Sequence, residues 1–176
     1  MSEESGASLL ELMAVVLIIA ILAMSSIPLL QGQLAVREIE TIARRFIGHA
    51  QFTRQQALYL GQSVRMTPLE GNNWDSGWSV TSAGNKPEIS KHWLTQGAID
   101  PIYLKDGGKQ FSDPHSSKKG IHFNGAGAAK TGSGGFVANR LILGHRLKPE
   151  LERHLILSSG GRWRICDPQV DNRGCR

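Results

Sequence analysis

Cysteine is scarce in this chain, and the chemistry that usually relies on it is scarcer. Only Cys166 and Cys175 occur, both near the C-terminus, and no second pair stands where a zinc site would need one. The six histidines, His49, His92, His115, His122, His145 and His154, show neither H-x3-H nor H-E-x2-H spacing, so the pattern offers no metal centre. No G-x-S-x-G or comparable nucleophile setting appears, and nothing points to a catalytic residue. NGAGAAKTG (124–132) fails as a phosphate loop, because Asn124 and Ala129 occupy its two glycine positions; it reads as a hairpin turn. No cofactor is called for.

The longest absence is of charge. From Leu12 to Leu30, LMAVVLIIAILAMSSIPLL, no charged residue interrupts an apolar run. A helix of that length covers about 28 Å, close to the hydrocarbon thickness of a bilayer. Such a run suits a membrane segment better than the core of a soluble domain. Basic residues are missing ahead of it as well: MSEESG carries Glu3 and Glu4, unlike the positive start of a secretory signal.

What is present divides into a stem and a head. After the apolar run, Ile39, Ala43, Phe46, Ala50, Ala57 and Leu60 recur mainly at three- and four-residue steps, with arginines mostly on other faces. One helix is expected from about Ala7 to Leu60, bent or loosened near Pro28 and Gly32. Beyond Gly61, short apolar runs between turn residues predict strands at 63–67, 77–81, 120–124, 135–138, 140–144, 154–158 and 162–166. Residues 93–104 could add one or two more, and 68–76 and 84–119 otherwise look loop-dominated. No helical crossover separates the strands, so antiparallel pairing follows. The fold class is α+β: a long N-terminal helix, transmembrane in its first half, packed on an antiparallel β-rich head.

Charge concentrates at one end. Residues 1–60 hold four arginines against five glutamates, whereas residues 140–176 hold eight cations against four acids. In that last stretch, SSGGRWRICDP (158–168) would form a strand with Trp163 and Ile165 turned inward and Arg162 and Arg164 together on the other face. Gly160 and Gly161 permit a turn before it. Most such clusters only keep a surface wet, with Arg162 or Arg164 paired to Asp167 or Asp171. An acidic partner is the sharper reading.

GASLLELMAVVLIIAILA (6–23) resembles the class III leader of type IV pilins and type II secretion pseudopilins. The resemblance implies cleavage by a prepilin peptidase after Gly6, an N-methylated Ala7, and Glu11 as the fifth mature residue. Ala7 stands where the family usually has Phe or Met, and the acidic leader stands where Lys or Arg is usual. Glu11 is costly near an apolar span unless it meets a cation, which in that family is the amino terminus of a neighbouring subunit. Alternatively it reaches the headgroups and complements the positive end of the helix.

ARRFIGHAQFTRQQALYLGQSVRM (43–66), GIHFNGAGAAKTGSGGF (120–136) and RHLILSSGGRWRICDP (153–168) further resemble the GspH, FimT and FimU minor pilins, most of all FimT. That implies a leader at 1–6, a transmembrane and filament-core helix at 7–30, its amphipathic continuation at 31–60, and a head at 61–176. It implies the inner membrane, with the head in the periplasm or outside the cell within a pilus. Partners would be other minor and major pilin subunits, the prepilin peptidase and the membrane. By likeness to FimT, GRWRIC would bind double-stranded DNA without sequence preference during natural transformation. Gly161 would shape the turn and Arg162 and Arg164 contact phosphates, with Trp163, Arg173 and Arg176 as further candidates. The alternatives are a structural GspH- or FimU-like subunit that binds no DNA and, from another class, a membrane-tethered periplasmic enzyme. In an oxidising compartment Cys166 and Cys175 can close a small loop, worth about 2.5–3 kcal/mol in the chain-entropy model; otherwise they remain free thiols.

Overall fold

The computed structural model describes residues 9–82, 91–107, 120–130, 135, 138–158, 160–171 and 173–175. One helix, α1 (Leu9–Leu60), continues through both Pro28 and Gly32. Along it the surroundings change. Residues 9–27 are exposed on every side, and the first buried side chain is Ala35. From there Ile39, Ala43, Phe46, Ala50 and Ala57 form a fully buried stripe. Three alanines in that stripe let the helix axis approach the sheets closely, while Phe46 fills the widest gap.

Two antiparallel sheets receive the stripe. The first contains β1 (Val64–Glu70), β2 (Asn73–Ser82), β3 (His92–Gln96), β5 (Ile121–Phe123) and β6 (Ala129–Lys130), in the order β3-β2-β1-β5-β6. The second contains β4 (Ile102–Asp106), β7 (Asn139–His145), β8 (Lys148–Leu157) and β9 (Trp163–Cys166), in the order β4-β7-β8-β9. Alternate residues face inward, as the period of a strand requires: Val64 and Met66, Leu141 and Leu143, Leu155 and Leu157 are all buried. The α+β architecture is therefore as expected, including the hairpin turn at 124–128, where Asn124 Oδ1 accepts from the N–H groups of Ala126 and Ala128.

Several details differ. Residues 68–76 are mostly strand: β1 reaches Glu70, β2 resumes at Asn73, and only Gly71 and Asn72 turn. Pro68 is tolerated because β5 pairs only with Val64–Met66, which leaves β1 with one neighbour at that point. β3 and β4 lie in the 93–104 region, and β8 begins at Lys148, well before the expected His154. Of the strand expected at 135–138, Phe136 and Val137 lie outside the described residues, and Gly135 and Ala138 are not in a strand.

Phe46 is the hub of the core. Its ring meets Trp74, Trp78 and Trp163 edge-on, with centroids 5.4, 5.0 and 5.8 Å away. Trp78 also donates from Nε1 to His49 Nδ1 at 2.9 Å, so the neutral tautomer with the proton on Nε2 fits. Burial, and then the charge of Arg45, lower the pKa of His49 below the ordinary histidine value. The unfolded chain therefore binds a proton more readily than the folded one. Stability should be complete above pH 6.5 and decline as the pH falls from there towards the folded value. Thermal unfolding across pH 4–8 checks this. His49→Gln, which still offers an acceptor but does not titrate, should flatten that limb; an unchanged limb would assign it to another group.

Candidate functional site

The basic tip is built on β9, an edge strand of the second sheet. Its turn closes tightly: Gly161 N donates to Ser158 O at 2.9 Å, Ser158 N to Arg162 O at 2.9 Å, and Arg162 N to Ser158 Oγ at 3.1 Å. Gly161 has φ +77, a region other residues enter with strain, and a Cβ there would stand 3.1 Å from Arg54 Nε and 3.3 Å from Gly127 O. Arg54 Nε itself donates to Gly127 O at 2.7 Å, tying the helix to the hairpin of β5 and β6.

Arg162 and Arg164 are both exposed, two residues apart at the start of β9. Trp163, between them, is half-buried, with its edge contact to Phe46 and its indole Nε1 buried without a hydrogen-bond partner among the described residues. The neighbouring Ile165 departs from expectation. It is 37% exposed rather than buried, because β9 is the edge strand of its sheet.

Neither arginine is neutralised by the acids nearest in sequence. Asp167 Oδ2 instead receives Arg153 Nη1 at 2.9 Å, and Asp171 Oδ1 receives Gly174 N at 2.8 Å. Among the described residues Arg162 has no side-chain partner, and Arg164 donates from Nη2 only to the backbone carbonyl of Gly174. The expected pairing with Asp167 or Asp171 is thus absent from this structure.

Cys166 and Cys175 are joined in a disulfide with Cα atoms 5.5 Å apart. The loop they close folds back on the outer face of the second sheet. Arg140 Nη1 lies 2.8 Å and His154 Nδ1 3.2 Å from Cys175 O, beside the Arg164 contact to Gly174. Arg173 is exposed on this loop, and Arg176 lies outside the described residues, as do Gly6 and Ala7. Glu11 is exposed in the apolar stretch of α1, far along the chain from the tip. The structure therefore brings Arg162, Arg164 and the disulfide loop together and leaves Glu11 apart from them.

Sequence reasoning missed two contributors. Arg140 on β7 is in register with Ile156 on β8, which in turn faces Arg164 on β9, so cations from two strands flank one isoleucine. Gln51, Arg54 and Gln55 on α1 form one wall of a groove of about 330 Å³ whose other wall is Gly161, Arg162 and Trp163. The i, i+3, i+4 spacing of those three helix residues was visible, but not the strand they face. A second groove of about 300 Å³, between Ile156 and Arg164, lies on the other side of Arg162. Among the described residues no cluster of three His, Cys, Asp or Glu could hold a metal ion.

A bare apolar stem, a buried stripe continuing it, and a two-sheet head together define the architecture of a pilin-type subunit. The family described as Type II transport protein GspH matches residues 43–161, and the chain belongs to that family. The fold is similar to that of the type IV minor pilin FimU of Pseudomonas aeruginosa, with a TM-score of 0.58 at 15% identity over 76% of this chain and 91% of that one. It is also similar to the minor pseudopilin EpsH of the Vibrio cholerae type 2 secretion system (0.53, 11% identity, 74% and 98% covered) and to E. coli GspH (0.51, 15%, 76% and 90%). No curated protein matches the sequence.

Because Gly161 sets the turn that presents both arginines, Gly161→Ala should destabilise the head by roughly 1–2 kcal/mol, the cost of a side chain in the left-handed region. Denaturant unfolding measures it, with Gly160→Ala, which meets open space, as the comparison. Equal losses at the two positions would contradict the assignment.

Proposed function

We propose that the chain is a structural minor pilin or pseudopilin, anchored in the inner membrane by α1 and assembled with other subunits of its class. One observation carries this reading. The same helix is buried as a stripe from Ala35 onward and bare on every side over residues 9–27, with Leu9 78%, Leu12 63% and Leu22 61% exposed. Apolar surface on that scale is stable only in lipid or against other apolar helices. A tethered enzyme needs only the lipid, whereas a subunit needs both in turn.

In this reading the peptidase cuts after Gly6, Ala7 becomes the methylated amino terminus, and Glu11 meets the amino terminus of a neighbour. A carboxylate in an apolar environment is costly unless it is paired, so the pairing selects one axial register. Glu11→Leu should leave the leader processed and the head folded, but lower incorporation into sheared filaments at least tenfold. Incorporation at the level of the parent chain would overturn the subunit reading of Glu11.

A second reading is favoured by the unneutralised arginines. Arg162 and Arg164, with Arg173 near them in sequence on the loop, form a cationic edge that would take phosphates of double-stranded DNA, as in a FimT-like role in natural transformation. Trp163 is too far packed into the head to stack freely on a base. With two phosphate contacts, affinity should fall roughly tenfold between 50 and 200 mM salt. Titration of the full chain in detergent with labelled duplex DNA tests this. Arg162→Gln/Arg164→Gln should abolish the salt-sensitive binding; no binding by the parent chain at low salt would leave the structural role alone.

A further inference from the structure

Residues 41–69, 114–149 and 153–166 contain no aspartate or glutamate. The fold brings part of each together towards the C-terminal end of α1. The helix supplies Gln51, Arg54, Gln55 and Leu58 as one wall of a groove of about 330 Å³, and Gly161, Arg162 and Trp163 supply the other. The hairpin of β5 and β6 meets the helix wall through Gly127, whose carbonyl accepts from Arg54 Nε at 2.7 Å. Glycine makes these approaches possible. A Cβ on Gly127 would stand 2.9 Å from Leu58 Cδ2, and one on Gly161 would stand 3.1 Å from Arg54 Nε.

Charge in this groove has one sign. Among the described residues no carboxylate lines it, and the acid nearest in sequence to the turn, Asp167, receives Arg153 Nη1 at 2.9 Å. Arg54 is fixed through Nε, which leaves Nη1 and Nη2 without partners among the described residues. Arg162 is exposed and has no side-chain partner there either. Gln51 and Gln55 are exposed about one turn apart on α1, and their amides are likewise unengaged. Arg164 lies outside this lining and donates to Gly174 O.

We propose that this groove seats a phosphate of a nucleic-acid backbone between Arg54 and Arg162, with the amides of Gln51 and Gln55 as neutral donors. A carboxylate suits it less well. Its two oxygens lie in one plane and are satisfied by a single guanidinium fork, whereas a tetrahedral phosphate presents oxygens to both walls. Arg54 is held in place before any ligand arrives, so little side-chain freedom is lost on contact. The apolar surfaces of Leu58 and Trp163 lower the local polarity, which strengthens the attraction. Half of the contact thus belongs to α1, and Arg164 is not part of it.

Nucleic acid as the partner rests on the second reading of the tip, whereas a phosphate site in the groove does not, and the experiment separates the two. The full chain in detergent would be titrated with labelled duplex DNA at about 100 mM salt, where the Debye length is about 10 Å. Gln55→Glu, an exposed position with no bond to lose, should weaken binding about fivefold or more with thermal unfolding unchanged. Thr41→Glu places the same charge on an exposed site of the same helix, about 21 Å away, and should change affinity less than about twofold. In the chain labelled with 15N-glutamine, inorganic phosphate should shift the side-chain amide signals of Gln51 and Gln55. Duplex binding that Arg162→Gln weakens and Gln55→Glu does not, or that Gln55→Glu and Thr41→Glu weaken equally, overturns the groove and leaves the tip reading. Amide shifts with phosphate but no duplex binding overturn the nucleic-acid partner alone. Neither shifts nor binding overturns both, and larger shifts with poly-glutamate than with duplex would give the groove to an acidic protein instead.

Discussion

One helix has to be stable in two environments, and the change-over at Ala35 governs the rest of the molecule. Above it the head covers one stripe of α1 with two sheets; below it residues 9–27 are exposed on every side. A continuous helix transmits position rigidly, so the sheets are held at a fixed height above the stem. Pro28 does not end the helix, although a mid-helix proline removes one backbone hydrogen bond. The cost is tolerated in a segment whose remaining carbonyls have no better partner than the helix itself.

Within the head, Phe46 links the stem to the tip. Its edge contacts gather Trp74 and Trp78 from the first sheet and Trp163 from the second, so the strand that carries both tip arginines is anchored through an aromatic ring on α1. Arg153 adds a second tie. It reaches Asp167 at 2.9 Å and Glu40 at 3.7 Å while only 11% exposed, joining β8 to the loop after β9 and to the helix. Arg162 and Arg164 are thereby presented from a strand tied to α1 and, through the loop that follows it, to β8.

The stem helix was legible because its signal is local: a long uncharged apolar run needs no tertiary knowledge. The buried stripe at Ile39, Ala43, Phe46 and Ala50 was legible for the same reason. The 68–76 stretch misled because Pro68, Asn73, Asp75 and Ser76 count as turn formers, yet only Gly71 and Asn72 turn and Trp74 is core. Ile165 misled because alternation says which face a residue takes, not whether another layer covers it. The partners of Arg140 and Arg164 were invisible for a deeper reason. They are backbone carbonyls of Gly107, Gly174 and Cys175, and a carbonyl has no signature in residue type.

That same distinction bears on what the basic tip is for. Arg164 spends one donor on Gly174 and Arg140 spends donors on Gly107 and Cys175, so the net charge of the C-terminal stretch overstates what a ligand could use. A carbonyl satisfies a hydrogen bond without cancelling the charge, which leaves long-range attraction for phosphates but fewer free donors to hold them. A head presenting two or three such cations would bind a polyanion only weakly by itself, and only several heads on one strand would make such an attachment durable. Assembly therefore comes first in either role. A subunit built for assembly alone would keep the same tip without using it.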